Sequence, residues 1–189
     1  MNLLALLPLN ETKLKVMLEI YSEEDYLRSL EKKTGVNPSL LYRVLKSFTE
    51  AGLVKKVSKG REFFYSLTSE SQKLFLPLLE KYQLDKVVEK NELVKILLKL
   101  ILNNPQLQAC QKIFLSGPGV LGAGKRVDIL FVTKEGQGLA RWCREAALVI
   151  GKEINPSIYT LEKFKLELGK KESQLNSIIQ DIKNRVVVK

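Results

Sequence analysis

Between Ser116 and Asp128 the chain carries a glycine-rich loop, and the residues just after that loop constrain the fold more than the loop does. Gly117, Gly119 and Gly122 spell G-x-G-x-x-G, and Gly119 to Lys125 spell G-x-x-x-x-G-K. Both are phosphate-binding patterns, and both work only where the loop opens a helix whose free N–H groups and positive dipole end receive the anion. Here the loop opens instead onto Val127-Asp128-Ile129-Leu130-Phe131-Val132, a β-branched and aromatic run of strand length. The second pattern also lacks its magnesium-binding hydroxyl, because Arg126 stands there. The loop therefore joins two strands, Lys112 to Leu115 and Val127 to Val132. Its four glycines, Gly117, Gly119, Gly122 and Gly124, most simply permit a tight turn.

Around this hairpin the C-terminal half alternates helices and strands. An amphipathic helix is expected from Gly138 to about Gly151, a strand from Ile154 to Tyr159, and a helix from Thr160 through Leu168. A further helix fits Ser173 to Ile182, and Val186 to Val188 reads as a terminal strand. This is an α+β domain. Ahead of it, Ser69 to Tyr82 and Asp85 to Leu102 read as two helices, with Pro77 expected to bend or divide the first and Asn103-Asn104-Pro105 closing the second. The expected division is residues 1–82, a connector at 83–105 and a domain at 106–189.

The N-terminal half has a different texture. Asn10 is placed to cap a helix from Glu11 to Tyr21, with Leu14, Met17, Leu18 and Tyr21 at helical spacing. A second helix fits Glu23 to Lys33, with Tyr26, Leu27 and Leu30 inward. Thr34-Gly35-Val36 breaks it, Gly35 supplying the left-handed residue that ends a helix. Asn37-Pro38 starts a third, and Leu41, Val44, Leu45 and Phe48 form its apolar stripe. After Gly52, two strands, Leu53 to Val57 and Glu62 to Leu67, flank the basic turn Ser58-Lys59-Gly60-Arg61.

Helix, helix, turn, helix and basic hairpin is the order of a winged helix-turn-helix. From about Asn10 to Thr68 the chain resembles arsenic-repressor-like regulators, most clearly at Thr34 to Lys46 and at Ala51-Gly52-Leu53-Val54. The resemblance implies that the third helix enters the major groove of double-stranded DNA while the wing lies along the backbone. Ser39, Tyr42, Arg43 and Lys46 face away from the apolar stripe and are the candidates to reach DNA. Arg43 suits a base edge, since a guanidinium bonds guanine O6 and N7 together. Lys56, Lys59 and Arg61 suit phosphates. The resemblance also implies a homodimer, and Leu4, Leu7, Leu93 and Leu97 are candidates for burial between chains.

Phe114 to Gly122 followed by Val127 to Val132, together with Ile154 to Phe164, resembles DNA-polymerase-beta-like nucleotidyltransferases and the regulators that carry such a domain behind a winged helix. The chemical motifs depart from that family. Gly117 is kept, but Pro118 replaces the serine next to it in active relatives, and Arg126 replaces the first of two metal-binding aspartates. Asp128 remains, and Asn155 brings no charge to the later strand. Magnesium needs carboxylates, so no catalytic residue, metal or cofactor is expected. Arg126 and Asp128 share a strand face and either pair structurally or leave Gly117, Gly119, Lys125 and Arg126 to hold a nucleotide or other anion.

Composition narrows the rest. A net charge of +10, with +3 through Leu84 and +7 from Asp85 onward, favours a polyanionic partner. The absence of histidine removes the commonest general base and transition-metal ligand. Cys110 and Cys143 lie far apart, suiting free thiols in a reducing cytosol. The apolar start is too short for a membrane span, and Lys95 and Lys99 interrupt the apolar run from Val94 to Leu102. The expected protein is a cytoplasmic DNA-binding transcriptional regulator with a catalytically inactive nucleotidyltransferase-like domain. The alternatives are an active nucleotidyltransferase recruiting Glu135 or Glu153, and an RNA- or protein-interaction module.

Overall fold

In a computed structural model of the protein, the described residues are 9–170, 175, 179, 183 and 185–189. The chain divides after Leu79 into two compact units.

The first unit begins with α1 (Glu11–Glu19), whose cap Asn10 accepts a hydrogen bond from the Lys13 amide at 3.0 Å. Its buried stripe is Val16, Met17, Leu18 and Ile20, with Leu14 and Tyr21 only half-buried, so the inward face is rotated from the one expected. The expected second helix splits. Asp25–Tyr26 form a two-residue strand, β1, and α2 (Leu27–Thr34) starts only after it. Asp25 makes the break: its carboxylate accepts from the Tyr26 amide at 2.9 Å, Ser29 Oγ at 3.0 Å and Lys33 Nζ at 2.7 Å. Such local bonds compete with helix hydrogen bonding. Gly35, at φ 65°, ends α2.

The third helix, α3 (Pro38–Glu50), is capped by Asn37 and buries Leu41, Val44, Leu45 and Phe48, the stripe expected from spacing. Each such side chain withdrawn from water contributes about 1.5–3 kcal/mol. Strands β2 (Val54–Lys59) and β3 (Glu62–Leu67) come next, in the sheet order β1-β3-β2. Ser58 and Lys59 belong to β2, so the turn is the two residues Gly60 and Arg61, and Gly60 takes φ 64°.

Asp25 is the one acid among the buried polar groups of this unit's described residues. Burial alone would raise its carboxyl, but the bonds from Lys33, Ser29 and the Tyr26 amide hold it below its ordinary 3.8. Asp25→Ala removes all three and is expected to cost about 1–3 kcal/mol. A depressed folded-state pKa contributes stability that is present above the unfolded value and is lost as pH falls through the folded one. The gap between wild-type and variant melting should therefore be full near neutral pH and narrow below 3.8. Circular-dichroism melts across that range test it, and a gap independent of acid would contradict the ionised assignment.

A helix expected to stop at Tyr82 continues: α4 runs Ser69–Lys90 with Pro77 inside it, and α5 is Glu92–Leu102. The break falls at Asn91, whose side chain accepts from the Val94 amide and donates to the carbonyls of Gly119 and Val120 at 3.0 and 2.9 Å.

The second unit holds a short α6 (Pro105–Gln108), then β4 (Lys112–Ser116), β5 (Arg126–Val132), α7 (Leu139–Ile150), β6 (Glu153–Tyr159), α8 (Leu161–Leu168) and β7 (Arg185–Val187). The sheet order is β6-β5-β4-β7; β5 pairs antiparallel with β4 and parallel with β6. Alternation along β5 sends Val127, Ile129 and Phe131 into one core, with Val87, Val94, Leu97, Ile101, Leu139 and Cys143. Leu130 and Val132 enter another with Phe114 and Phe164. A strand covered on both faces reads as an unbroken apolar run. Leu97 is thus buried within its own unit rather than between chains, and Leu93 packs against the same core. Leu4 and Leu7 lie outside the described residues, as does most of the helix expected from Ser173 to Ile182.

Candidate nucleic-acid interface and glycine-loop site

With its buried stripe turned inward, α3 exposes Ser39, Tyr42, Arg43 and Lys46. Arg43 Nε donates back to the Ser39 carbonyl at 3.3 Å, and Lys46 lies 3.8 Å from Glu50, one turn on. Lys56, Lys59 and Arg61 are exposed on the hairpin. Lys59 pairs with Glu24 and sits 5.2 Å from the Phe64 ring centre. Exposed pairs of this kind are worth about 0–1 kcal/mol, so they orient these cations without removing them from reach of a partner.

Tyr42 and Lys56 come together in an open cleft of about 290 Å³, lined also by Tyr26, Leu27, Arg28, Glu62, Phe63 and Tyr65. Arg28 and Phe63 were missing from the sequence-derived set. Phe63 shares a strand face with Tyr65 and Leu67, which are buried, yet it is itself 50% exposed. The ammonium of Lys56 lies 3.8 Å from its ring centre, a cation–π contact. The available signal was Phe63-Phe64-Tyr65: three consecutive rings on a strand point to both faces, and a hairpin this short covers only part of them. Burial pushes the Tyr65 phenol up, with the Tyr42 phenol adding to the effect, and Tyr65 also lines the cleft.

In the second unit the glycine loop closes a hairpin and leads into β5, with no helix at its end. Gly117 takes φ 92°, and the Gly119 amide donates to the Arg126 carbonyl at 2.7 Å. Lys125 is exposed, and Lys152 Nζ donates to the Gly124 carbonyl. Arg126 Nε lies 3.2 Å from Asp128 Oδ1, and Asn155 Nδ2 donates to that oxygen at 3.1 Å. The Asp128 carboxylate is therefore held by a cation and an amide. Glu153 stands in register with Arg126, whereas Glu135 lies beyond the opposite end of β5 from Asp128. Among the described residues no three acids or thiols converge to hold a metal ion.

The two thiols are buried and unbridged. Burial pushes Cys143 up to about 12 and also raises Cys110 against a hydrogen bond with Thr133. Neither is a reactive thiolate. Among the described residues no helix is long and apolar enough to cross a membrane.

No protein-family model and no curated protein matches the chain. Solved structures resemble part of it. AF1382 from Archaeoglobus fulgidus is 25% identical, with 40% of this chain and 87% of that one covered at a TM-score of 0.35. Reduced HlyU from Vibrio cholerae is 24% identical over 42% and 79% of the two chains, at 0.36. BpsR of Bordetella bronchiseptica, whose DNA binding is regulated by 6-hydroxynicotinic acid, is 18% identical over 40% and 58%, at 0.35. These are partial likenesses, and they leave functional assignment to the protein's own geometry.

Proposed function

We propose that the protein is a DNA-binding transcriptional regulator that reads duplex DNA with α3 and grips the backbone with the β2–β3 hairpin. One observation carries this reading: α3 buries Leu41, Val44, Leu45 and Phe48 while leaving Ser39, Tyr42, Arg43 and Lys46 exposed beside a basic two-stranded wing. A helix presented by its neighbours in this way fits the major groove. Lys56, Lys59 and Arg61 supply phosphate contacts, which set register and affinity without reporting sequence. The protein works in the cytoplasm as a homodimer, because one winged helix offers a small contact and two linked half-sites raise the effective concentration of the second.

For the second unit we propose a nucleotidyltransferase-like domain without transfer activity. Two-metal phosphoryl chemistry needs carboxylates that clamp cations against the reacting oxygens. Here Asp128 is engaged by Arg126 and Asn155. The permanent charge of Arg126 disfavours magnesium at that position. Gly117, Gly119, Lys125 and Arg126 then serve only a metal-free anion or nucleotide.

The test is a binding titration against selected duplex DNA at several salt concentrations. Arg43→Ala is expected to lose about 1–3 kcal/mol on the preferred sequence and little on others, relaxing specificity. Lys59→Ala is expected to weaken all duplexes similarly and to reduce the salt slope by about one. Unchanged affinity and specificity in Arg43→Ala would overturn the assignment of α3 as the reading helix.

A further inference from the structure

We infer that the cleft between α3 and the wing receives one unstacked nucleobase, so that the protein prefers duplex DNA carrying an unpaired nucleotide to the same duplex fully paired. This rests on the nucleic-acid reading of the first unit and names what that surface takes. Three observations converge on it. The cleft offers two half-exposed rings, Tyr42 and Phe63, from different elements. Successive bases stack on such rings regardless of sequence, because every base presents a π face. Two cations, Arg28 and Lys56, border the same cleft and suit the phosphates on either side of an extruded nucleotide. The Lys56 ammonium rests on the Phe63 ring, and its flexible stem lets it exchange that ring for a phosphate.

Glu62 borders the cleft at the start of β3, where its negative charge opposes a simple anion. Tyr65 also lines the cleft and brings a phenolic hydroxyl able to bond a base edge. A flat, uncharged ring with phosphates attached on both sides suits the two aromatic rings and the two cations together. A bare anion or a purely apolar group satisfies only some. Paired DNA cannot fill the cleft in this way, since its bases are stacked, whereas an unpaired base costs less to extrude.

The experiment compares the full chain on two duplexes of one sequence, one fully paired and one with a single unpaired 2-aminopurine. The bulged duplex is expected to bind about tenfold tighter, the scale of one stacked base, with a change in 2-aminopurine fluorescence on binding. Phe63→Leu should bring the two affinities together, and Phe63→Tyr, which restores a ring, should restore the difference. Because Phe63 is half-exposed, neither change threatens the fold, and circular dichroism verifies that. Equal affinity of the wild type for both duplexes overturns the inference while leaving duplex binding intact. A preference that survives in Phe63→Leu overturns it as well. Binding to neither duplex removes the DNA reading, and this inference with it.

Discussion

Phe131→Ala should lower the stability of the second unit by about 3–5 kcal/mol, the cost of deleting a buried aromatic side chain and leaving its cavity. Phe131 is fully buried at the centre of the sheet, on β5, and lies in the same core as Val94, Leu97, Ile101 and Leu139. Its ring meets Trp142 edge-on at 6.2 Å. Helices and strands from several stretches of chain share this site, so collapse of the cavity would require several elements to move together. A single domain is typically stable by about 5–15 kcal/mol, which makes the loss a large part of the total. The chain has one tryptophan, Trp142, so its fluorescence reports this unit alone. That matters because a protein of two units need not unfold in one step. Urea unfolding followed by Trp142 should show a midpoint well below wild type. An unchanged midpoint would mean that Phe131 is not the centre of this core.

Gly119→Ala is the second large effect, and it decides why the loop is glycine-rich. A Cβ at this position would stand 2.6 Å from the Arg126 carbonyl oxygen and 2.8 Å from Val127 Cγ2. Neither yields easily. That carbonyl already accepts the Gly119 amide at 2.7 Å, and Val127 is fully buried. Overpacking of this kind costs about 1–3 kcal/mol, and the Trp142 transition should shift accordingly. Lys125→Ala removes an exposed side chain of the same loop and should stay within about 0.5 kcal/mol of wild type. A loop kept glycine-rich only to approach a phosphate would show the opposite pattern: Gly119→Ala would melt with wild type and fail only in anion binding. The close approach of loop to β5 predicts instability with no anion present.

Much of the element order was legible from local chemistry. Asn10, Asn37 and Thr160 cap helices through side chains two or three residues from the amides they satisfy. Gly35 and Gly151 end helices in the left-handed conformation. The apolar run of β5 and the stripe of α3 likewise declare themselves, because strand and helix periodicity bring neighbours in sequence onto one face. The candidate DNA-facing residues came from the same periodicity: exposed positions of α3 are those its apolar stripe leaves over.

Other features depended on residues far away in the chain. Asp25–Tyr26 become a strand because Phe64 and Tyr65 lie alongside to pair with them, and the run Glu23 to Lys33 contains no hint of that partner. Pro77 signals a helix boundary, yet α4 continues to Lys90 and stops at an asparagine whose amide caps carbonyls of the glycine loop. Leu97, apolar on an amphipathic helix, could face another chain or its own sheet, and only packing against the core containing Phe131 settles which. Arg28 and Phe63 belong to the cleft for the same reason, since their meeting with Tyr42 and Lys56 joins α2, α3 and both wing strands. The sequence by itself determined the order of most elements, the caps at Asn10, Asn37 and Thr160 and the apolar stripe of α3, because hydrogen bonds and periodicity act over a few residues. Tertiary structure alone decided which apolar faces meet, where a short strand finds its partner and which exposed rings share a cleft. Those outcomes depend on contacts between segments tens of residues apart, whose energies no local pattern encodes.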